Sequence, residues 1–260
     1  MIRLLSGVAL AGGVVALVWW LPPSALAAVA VLVSAIAVTE YARIVVSLGG
    51  RLPYWPTLAA TVIACVMIPF PWVMIESVLG VTLLVIAFAV LTSDRSHTQL
   101  ATDAALAMLA PVYIGVPIGS LVGIHAIGGS QAVLLLIATI AISDTAQYYT
   151  GRAFGRTLLA PTHSPKKTRE GALGGFIAAP VFLVAAGSVW LPTVAPAWLA
   201  GLGVALVAAG IAGDVFESML KRAAELKDSG TIIPGHGGVL DRIDALLFAA
   251  PIFLLFHRLV

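Results

Sequence analysis

Between residues 172 and 213 the chain carries no Asp, Glu, Lys or Arg. An uncharged run of this length holds two bilayer-crossing helices of about 20 residues each, and little else stable can be built from it. The same texture continues through the chain, where nine mostly apolar segments can be laid out at about 4–21, 23–46, 55–70, 72–92, 99–124, 131–154, 172–190, 196–224 and 241–258. The third is short. Proline-containing breaks at Pro22-Pro23, Pro69 to Pro71 and Pro192 to Pro196 separate several of them, because proline cannot continue a helix. Charged residues make up 10% of the chain and hydrophobic ones 60%, against about 25% and 45–50% in soluble domains. A soluble domain and a disordered chain are both excluded. The lone cysteine, Cys65, permits no intrachain disulfide and no thiolate metal cluster. The expected fold is all-α, a polytopic membrane protein with about nine transmembrane helices. Residues 1–130 read as N-terminal, lipid-facing scaffold helices, and 131–260 as a C-terminal catalytic region with cytoplasmic loops.

The first segment imitates a secretory signal, with Arg3, an apolar stretch and Ala25-Leu26-Ala27, but its length and the span that follows at once favour a retained anchor. Thirteen of the fourteen Lys and Arg residues fall before span 1 or in the connections 2–3, 4–5, 6–7 and 8–9, counting the adjoining helix ends; only Arg258 lies on the other side. The positive-inside rule then sets the N-terminus in the cytoplasm and the C-terminus outside.

Seventeen of the 26 charges occupy residues 144–244, in three clusters. In the first, Asp144, Tyr148, Arg152 and Arg156 recur every fourth residue, which predicts one ridge of a helix emerging from the membrane. An ionisable group within a span is costly and marks a polar cavity or site. The loop beyond it, Ser164 to Gly171, contains Lys166 and Lys167, which taken alone read most simply as a topology signal or an anchor to anionic lipid. In the second, Asp214, Glu217, Ser218, Lys221, Arg222 and Glu225 follow helical spacing directly from an uncharged span, which predicts a single polar face. The third runs from Lys227 through Pro234-Gly235-His236-Gly237-Gly238 to Asp241-Arg242-Ile243-Asp244. Its glycines permit turns whose N–H groups converge on an anion. Asp241 and Asp244 read as first-turn residues of the last helix, where the helix dipole favours carboxylates even without function.

Carboxylates suit a hard cation, and lysines and arginines suit phosphate oxygens. Mg²⁺ takes one or two carboxylates plus substrate phosphates and waters, and assists phosphoryl transfer by neutralising charge. The absence of a cysteine cluster or a close His pair argues against zinc. Neither a Walker A sequence nor a G-x-G-x-x-G is present.

The stretch SMLKRAAELKDSGTIIPGHGGVLDRID, Ser218 to Asp244, resembles the signature of the membrane-embedded phosphatidate cytidylyltransferases, the CDP-diglyceride synthases. Gly213-Asp214-x-x-Glu217-Ser218, Gly151-Arg152-x-Phe154-Gly155-Arg156 and Ser164-Pro165-Lys166-Lys167-Thr168 also resemble that family. One departure is Ala146-Gln147, where a glycine or aromatic followed by alanine would be expected. The resemblance implies transfer of a cytidylyl group from CTP to phosphatidic acid, giving CDP-diacylglycerol and pyrophosphate, with Mg²⁺ as cofactor, at the cytoplasmic side of the cell (inner) membrane, by a homodimer that binds no nucleic acid. It implies that Asp214 and Asp241 hold the metal with Asp144 as a further ligand, and that Lys221, Arg222 and Asp244 belong to the catalytic set. Lys227 and Arg242 would clamp phosphates, the His236-Gly237-Gly238 backbone would cradle pyrophosphate, and Lys166, Lys167 and Ser218 would bind substrate. Two alternatives stay open: a related CTP-dependent transferase or kinase acting on a polyprenyl-type lipid, and a transporter, which would show inverted repeats and midplane broken helices.

Overall fold

The computed structural model describes residues 2–70, 72–233, 235 and 237–260. Their architecture is helical. The elements run α1 (Ile2–Trp20), α2 (Pro23–Ser47), α3 (Tyr54–Met67), α4 (Ile75–Leu91), α5 (His97–Ala110), a π-helical turn (Pro111–Gly115), α6 (Val116–Phe154), β1 (Leu158–Ala160), β2 (Ser164–Thr168), α7 (Arg169–Trp190), α8 (Pro196–Ala223) and α9 (Leu240–Leu259). Among the described residues, four helical stretches are long and apolar enough to cross a membrane: Pro23–Ser47, His97–Phe154, Arg169–Trp190 and Pro196–Ala223. Large apolar side chains such as Trp55, Leu84 and Phe88 stand on the surface of this protein, Phe88 with 76% of its area exposed. Such a surface suits hydrocarbon better than water, and the chain is an all-α membrane protein.

Local chemistry explains the helix ends. Pro23 opens α2, where its missing N–H costs nothing. Ser96 and Gln99 form a reciprocal capping box at the start of α5. Pro111 lacks an N–H, and the ladder slips into the π-helical turn there before α6 resumes. Each of the nine apolar segments falls on a helix, but the fifth and sixth share the continuous run His97–Phe154, interrupted by Gly129 at φ 67°, ψ −169°. Left-handed φ of this kind is open to glycine with little strain.

The chain divides into two compact units: Met1–Ala126 with Leu220–Ile243, and Ile127–Met219 with Asp244–Val260. Residues 220–243, most of the signature segment, fall in the first unit. In the first unit, α3 packs on the π-helical turn and the start of α6 through two glycines one helical turn apart. A methyl group on Gly115 would stand 2.5 Å from the Thr61 carbonyl oxygen, and one on Gly119 would stand 2.6 Å from that of Cys65. This is the small-residue contact that lets membrane helices approach closely. In the second unit, Gly203 of α8 meets Pro180 of α7 in the same way, a methyl on it lying 2.6 Å from the Pro180 Cα.

Three local expectations change. The helix α6 ends at Phe154, so Arg156 leaves the predicted ridge and only Tyr148 and Arg152 continue it, Arg152 Nη1 lying 3.5 Å from the Tyr148 hydroxyl. The helix α8 ends at Ala223, so Glu225 leaves the polar face. Leu226 N–H donates to the Lys221 carbonyl at 2.8 Å and Glu225 N–H to that of Arg222 at 3.1 Å, with Glu225 in the left-handed region at φ 56°, which together form a Schellman cap. Asp244 is the fifth residue of α9 and lies beyond its first turn, which holds Asp241.

Candidate functional site

Each unit gathers one cluster of the residues singled out above. In the first unit the cluster centres on Asp241, which is buried at the start of α9. Its Oδ1 accepts from Lys221 Nζ at 2.5 Å. Its Oδ2 accepts the N–H of Ser229 at 2.8 Å, the Ser229 hydroxyl at 2.9 Å and the N–H of Gly238 at 2.8 Å. Three N–H donors and a hydroxyl shared with a second acid converge on this carboxylate. The Lys221 side chain is 12% exposed and that of Asp241 4%, so this ion pair is largely withdrawn from solvent.

A second carboxylate stands behind the first. Glu40 of α2 is fully buried. Its Oε1 accepts the Val239 N–H at 2.9 Å, while its Oε2 accepts the Leu240 N–H at 2.8 Å and the Ser229 hydroxyl at 3.1 Å. The N–H groups that a helix start leaves without intrahelical partners are therefore met by an acid from another helix. Sequence reasoning assigned Glu40 nothing, and passed over Ser229. An acid inside an apolar segment was the signal that could have found Glu40.

The other residues of the loop are less enclosed. Arg222, Lys227 and Arg242 are exposed, and Arg222 Nη1 reaches the Leu226 carbonyl at 3.5 Å. Gly237, at φ 82°, accepts the Ile233 N–H at 2.9 Å through its carbonyl. A methyl group on it would stand 2.7 Å from Asp241 Oδ2, so both the backbone angle and the space require glycine. His236 lies outside the described residues.

In the second unit the cluster forms around Asp214. Lys167 Nζ approaches its Oδ2 at 2.9 Å, and Ser218, one helical turn along α8, lies 3.4 Å from its Oδ1. Asp144 on α6 is in electrostatic reach of both Lys167 and Asp214. Gln147, the departure noted above, donates through Nε2 to the Ser143 hydroxyl at 3.0 Å and toward Asp144 Oδ1 at 3.3 Å.

Lys167 is delivered by a feature absent from the sequence-based expectation, the two-stranded hairpin β1–β2, whose Leu158 pairs with Thr168 and Ala160 with Ser164. Successive strand residues point to opposite faces, and the two lysines separate accordingly: Lys167 meets Asp214 and Lys166 is exposed. Glu170 holds the base of the hairpin by accepting the N–H groups of Arg156 at 3.1 Å and Thr157 at 3.2 Å. Thr168 caps α7 by accepting the Gly171 N–H at 3.1 Å.

Asp244 also belongs to this unit, where its carboxylate accepts the Ala245 N–H at 2.8 Å and its backbone lies flush against Gly213 of α8. Among the described residues, no three His, Cys, Asp or Glu side chains converge as a metal cage. The two carboxylates Asp144 and Asp214, in electrostatic reach of each other, suit a cation that draws its other ligands from substrate and water, as Mg²⁺ does.

A family model described as the cytidylyltransferase family matches residues 1–260. The chain is 32% identical over 180 residues to the phosphatidate cytidylyltransferase of Thermotoga maritima, covering 67% of this chain and 66% of that protein. It is 40% identical over 147 residues to the phosphatidate cytidylyltransferase of Helicobacter pylori strain 26695, covering 55% and 53%. It is also 44% identical over 132 residues to the uncharacterized protein YnbB of Escherichia coli K12, covering 50% and 44%. The chain thus spans about half to two thirds of the length of these relatives. With the family pattern met from the first residue to the last, this chain belongs to the cytidylyltransferase family.

Proposed function

We propose that the chain is a phosphatidate cytidylyltransferase of the cell's inner membrane, with nine transmembrane helices, a cytoplasmic N-terminus and an active site facing the cytoplasm. A phosphate oxygen of phosphatidic acid attacks the α-phosphorus of CTP. The new P–O bond forms as the bond to the β-phosphate oxygen breaks, giving CDP-diacylglycerol and pyrophosphate. The lipid phosphate is already anionic at neutral pH, so positioning and charge neutralisation carry the catalysis rather than a strong base. The observation that carries this reading is the Lys167–Asp214–Ser218 arrangement at the polar end of an apolar helix, within reach of Asp144.

Asp214 and Asp241 would hold Mg²⁺, with Asp144 as a further ligand, as the family resemblance implies. The cation would supply neutralisation of the charge that develops on pyrophosphate. Lys167 sits where an incoming phosphate would exchange places with the Asp214 carboxylate as its partner. Arg222, Lys227 and Arg242, exposed in the first unit, are suited to gripping phosphate oxygens, as is Lys166 on the outer face of the hairpin. His236 and Gly237 would contribute backbone to pyrophosphate, whereas the Gly238 N–H is engaged with Asp241. Residues 1–130 would serve mainly as scaffold, and the working form would be a homodimer.

The test is to incubate detergent-solubilised protein with Mg²⁺, a panel of lipid phosphates and polyprenols, and CTP labelled at either the α- or the γ-phosphorus. α-Label entering a phosphatidate-derived lipid is the expected result. γ-Label entering a lipid would identify a kinase, and label in no lipid would defeat the reading.

A further inference from the structure

The buried carboxylate of Glu40 is unused by the reaction as described, yet it is bonded to the signature loop three times over. It accepts from Ser229, Val239 and Leu240, which brackets the loop at both ends. The loop is also shaped to admit it. A methyl group on Gly230 would stand 2.5 Å from Glu40 Oε1, and one on Gly238 would stand 2.5 Å from Oε2 while colliding with the Ser229 hydroxyl. Two glycines of the loop therefore leave room for this carboxylate, in addition to any turn they make. The Ser229 hydroxyl touches both acids, 3.1 Å from Glu40 Oε2 and 2.9 Å from Asp241 Oδ2. Orientation passes from Glu40 to Asp241 through one side chain, and Asp241 in turn fixes Lys221.

We propose that Glu40 is a positioning residue for cytidylyl transfer, a carboxylate of α2 that holds Ser229, Val239 and Leu240 in place and through them sets the orientation of Asp241 and Lys221. This rests on the reaction given above. Glu40 is fully buried. It acts as the outer-sphere partners of a metal or phosphate site act, by restricting the groups that do the chemistry.

Glu40→Gln replaces one acceptor oxygen by an NH₂ group, which must face either the Val239 N–H or the Leu240 N–H and Ser229 hydroxyl. Glu40→Asp keeps the charge but withdraws it by one methylene, and Ser229→Ala removes only the hydroxyl relay. The measurements are kcat and KM for CTP and phosphatidic acid, and amide hydrogen exchange of residues 227–240, in purified detergent-solubilised full-length protein. Misplacement of catalytic groups by about 1 Å costs about 100-fold, so kcat should fall about 100-fold in Glu40→Gln with the KM for phosphatidic acid unchanged. Loss of an outer-sphere partner costs about tenfold at the low end, the fall expected for Ser229→Ala, and Glu40→Asp should lie between the two. Exchange across 227–240 should rise in all three. A folded Glu40→Gln or Glu40→Asp protein with wild-type kcat and unchanged exchange would overturn the proposal. If Glu40→Gln does not fold, Glu40→Asp and Ser229→Ala decide by the same criteria. If the wild-type protein labels no lipid, the reaction is wrong, and the exchange measurements still decide whether Glu40 anchors the loop.

Discussion

The two clusters differ in how fully their charges are satisfied. Around Asp241, nearly every acceptor and donor is matched within the protein, and Glu40, Ser229 and Asp241 are all buried. Around Asp214, the carboxylate is 36% exposed and its ion-pair partner Lys167 18%, with further acceptor capacity on both Asp214 and Asp144. The first behaves as a framework that is expensive to disturb. The second leaves its ion pair open to water. Buried, multiply bonded acids resist perturbation because an orphaned partner has no water to turn to, whereas a pair that water reaches is replaced at less cost.

The largest effect should come from Asp241→Asn. Breaking a buried ion pair from one side costs about 3–5 kcal/mol, so thermal unfolding in detergent should shift markedly downward and turnover should vanish together with stability. A protein that kept its unfolding midpoint would erase the contrast between the clusters. Asp214→Asn should do the opposite. Turnover should fall about 100-fold, the scale of losing a charge-stabilising group, while stability changes by about 1 kcal/mol or less, as for exposed pairs. The two measurements on one preparation distinguish a chemical defect from a folding one. Lys167→Met should lower kcat/KM about tenfold, in line with the loss of one charged hydrogen bond. Lys166→Met, on the outer face of the same strand, should alter mainly the salt dependence of the rate. Equal effects at the two positions would remove the hairpin from the account of the second cluster. The smallest effect should be a gain. Glu225→Gly relieves a left-handed residue that costs about 1–2 kcal/mol, partly offset by the greater freedom of glycine in the unfolded chain. Stability should rise by about 0.5 kcal/mol with turnover unchanged, read as an unfolding midpoint beside a CTP assay.

The helices were legible because hydropathy is a local property: a lipid-soluble run declares itself within its own 20 residues. The clustering of Lys167 with Asp214 was half legible. Both residues were singled out, but the hairpin that separates Lys167 from Lys166 is a pair of very short strands in a polar, proline-containing loop and leaves almost no periodicity to read. The ridge through Arg156 and the face through Glu225 overran their helices because spacing alone does not say where a helix stops. Glu40 was invisible for a different reason. Its partners lie 189 to 200 residues away, and no local pattern relates one acid in an apolar segment to two amides and a hydroxyl so far along the chain.

That separation also sets an order of events during synthesis. At about 5–20 residues per second, the ribosome needs on the order of 10–40 s to travel from Glu40 to Leu240. The helix α2 is thus made, and free to enter the bilayer, long before the donors that will satisfy its carboxylate exist. For that interval the acid would be protonated, or held near the headgroups or against a helper protein, since an unpartnered carboxylate in hydrocarbon is strongly disfavoured. The arrival of residues 229–240 is then what permits α2 to settle, and a nascent chain stalled before that point would present the cell with a half-inserted helix.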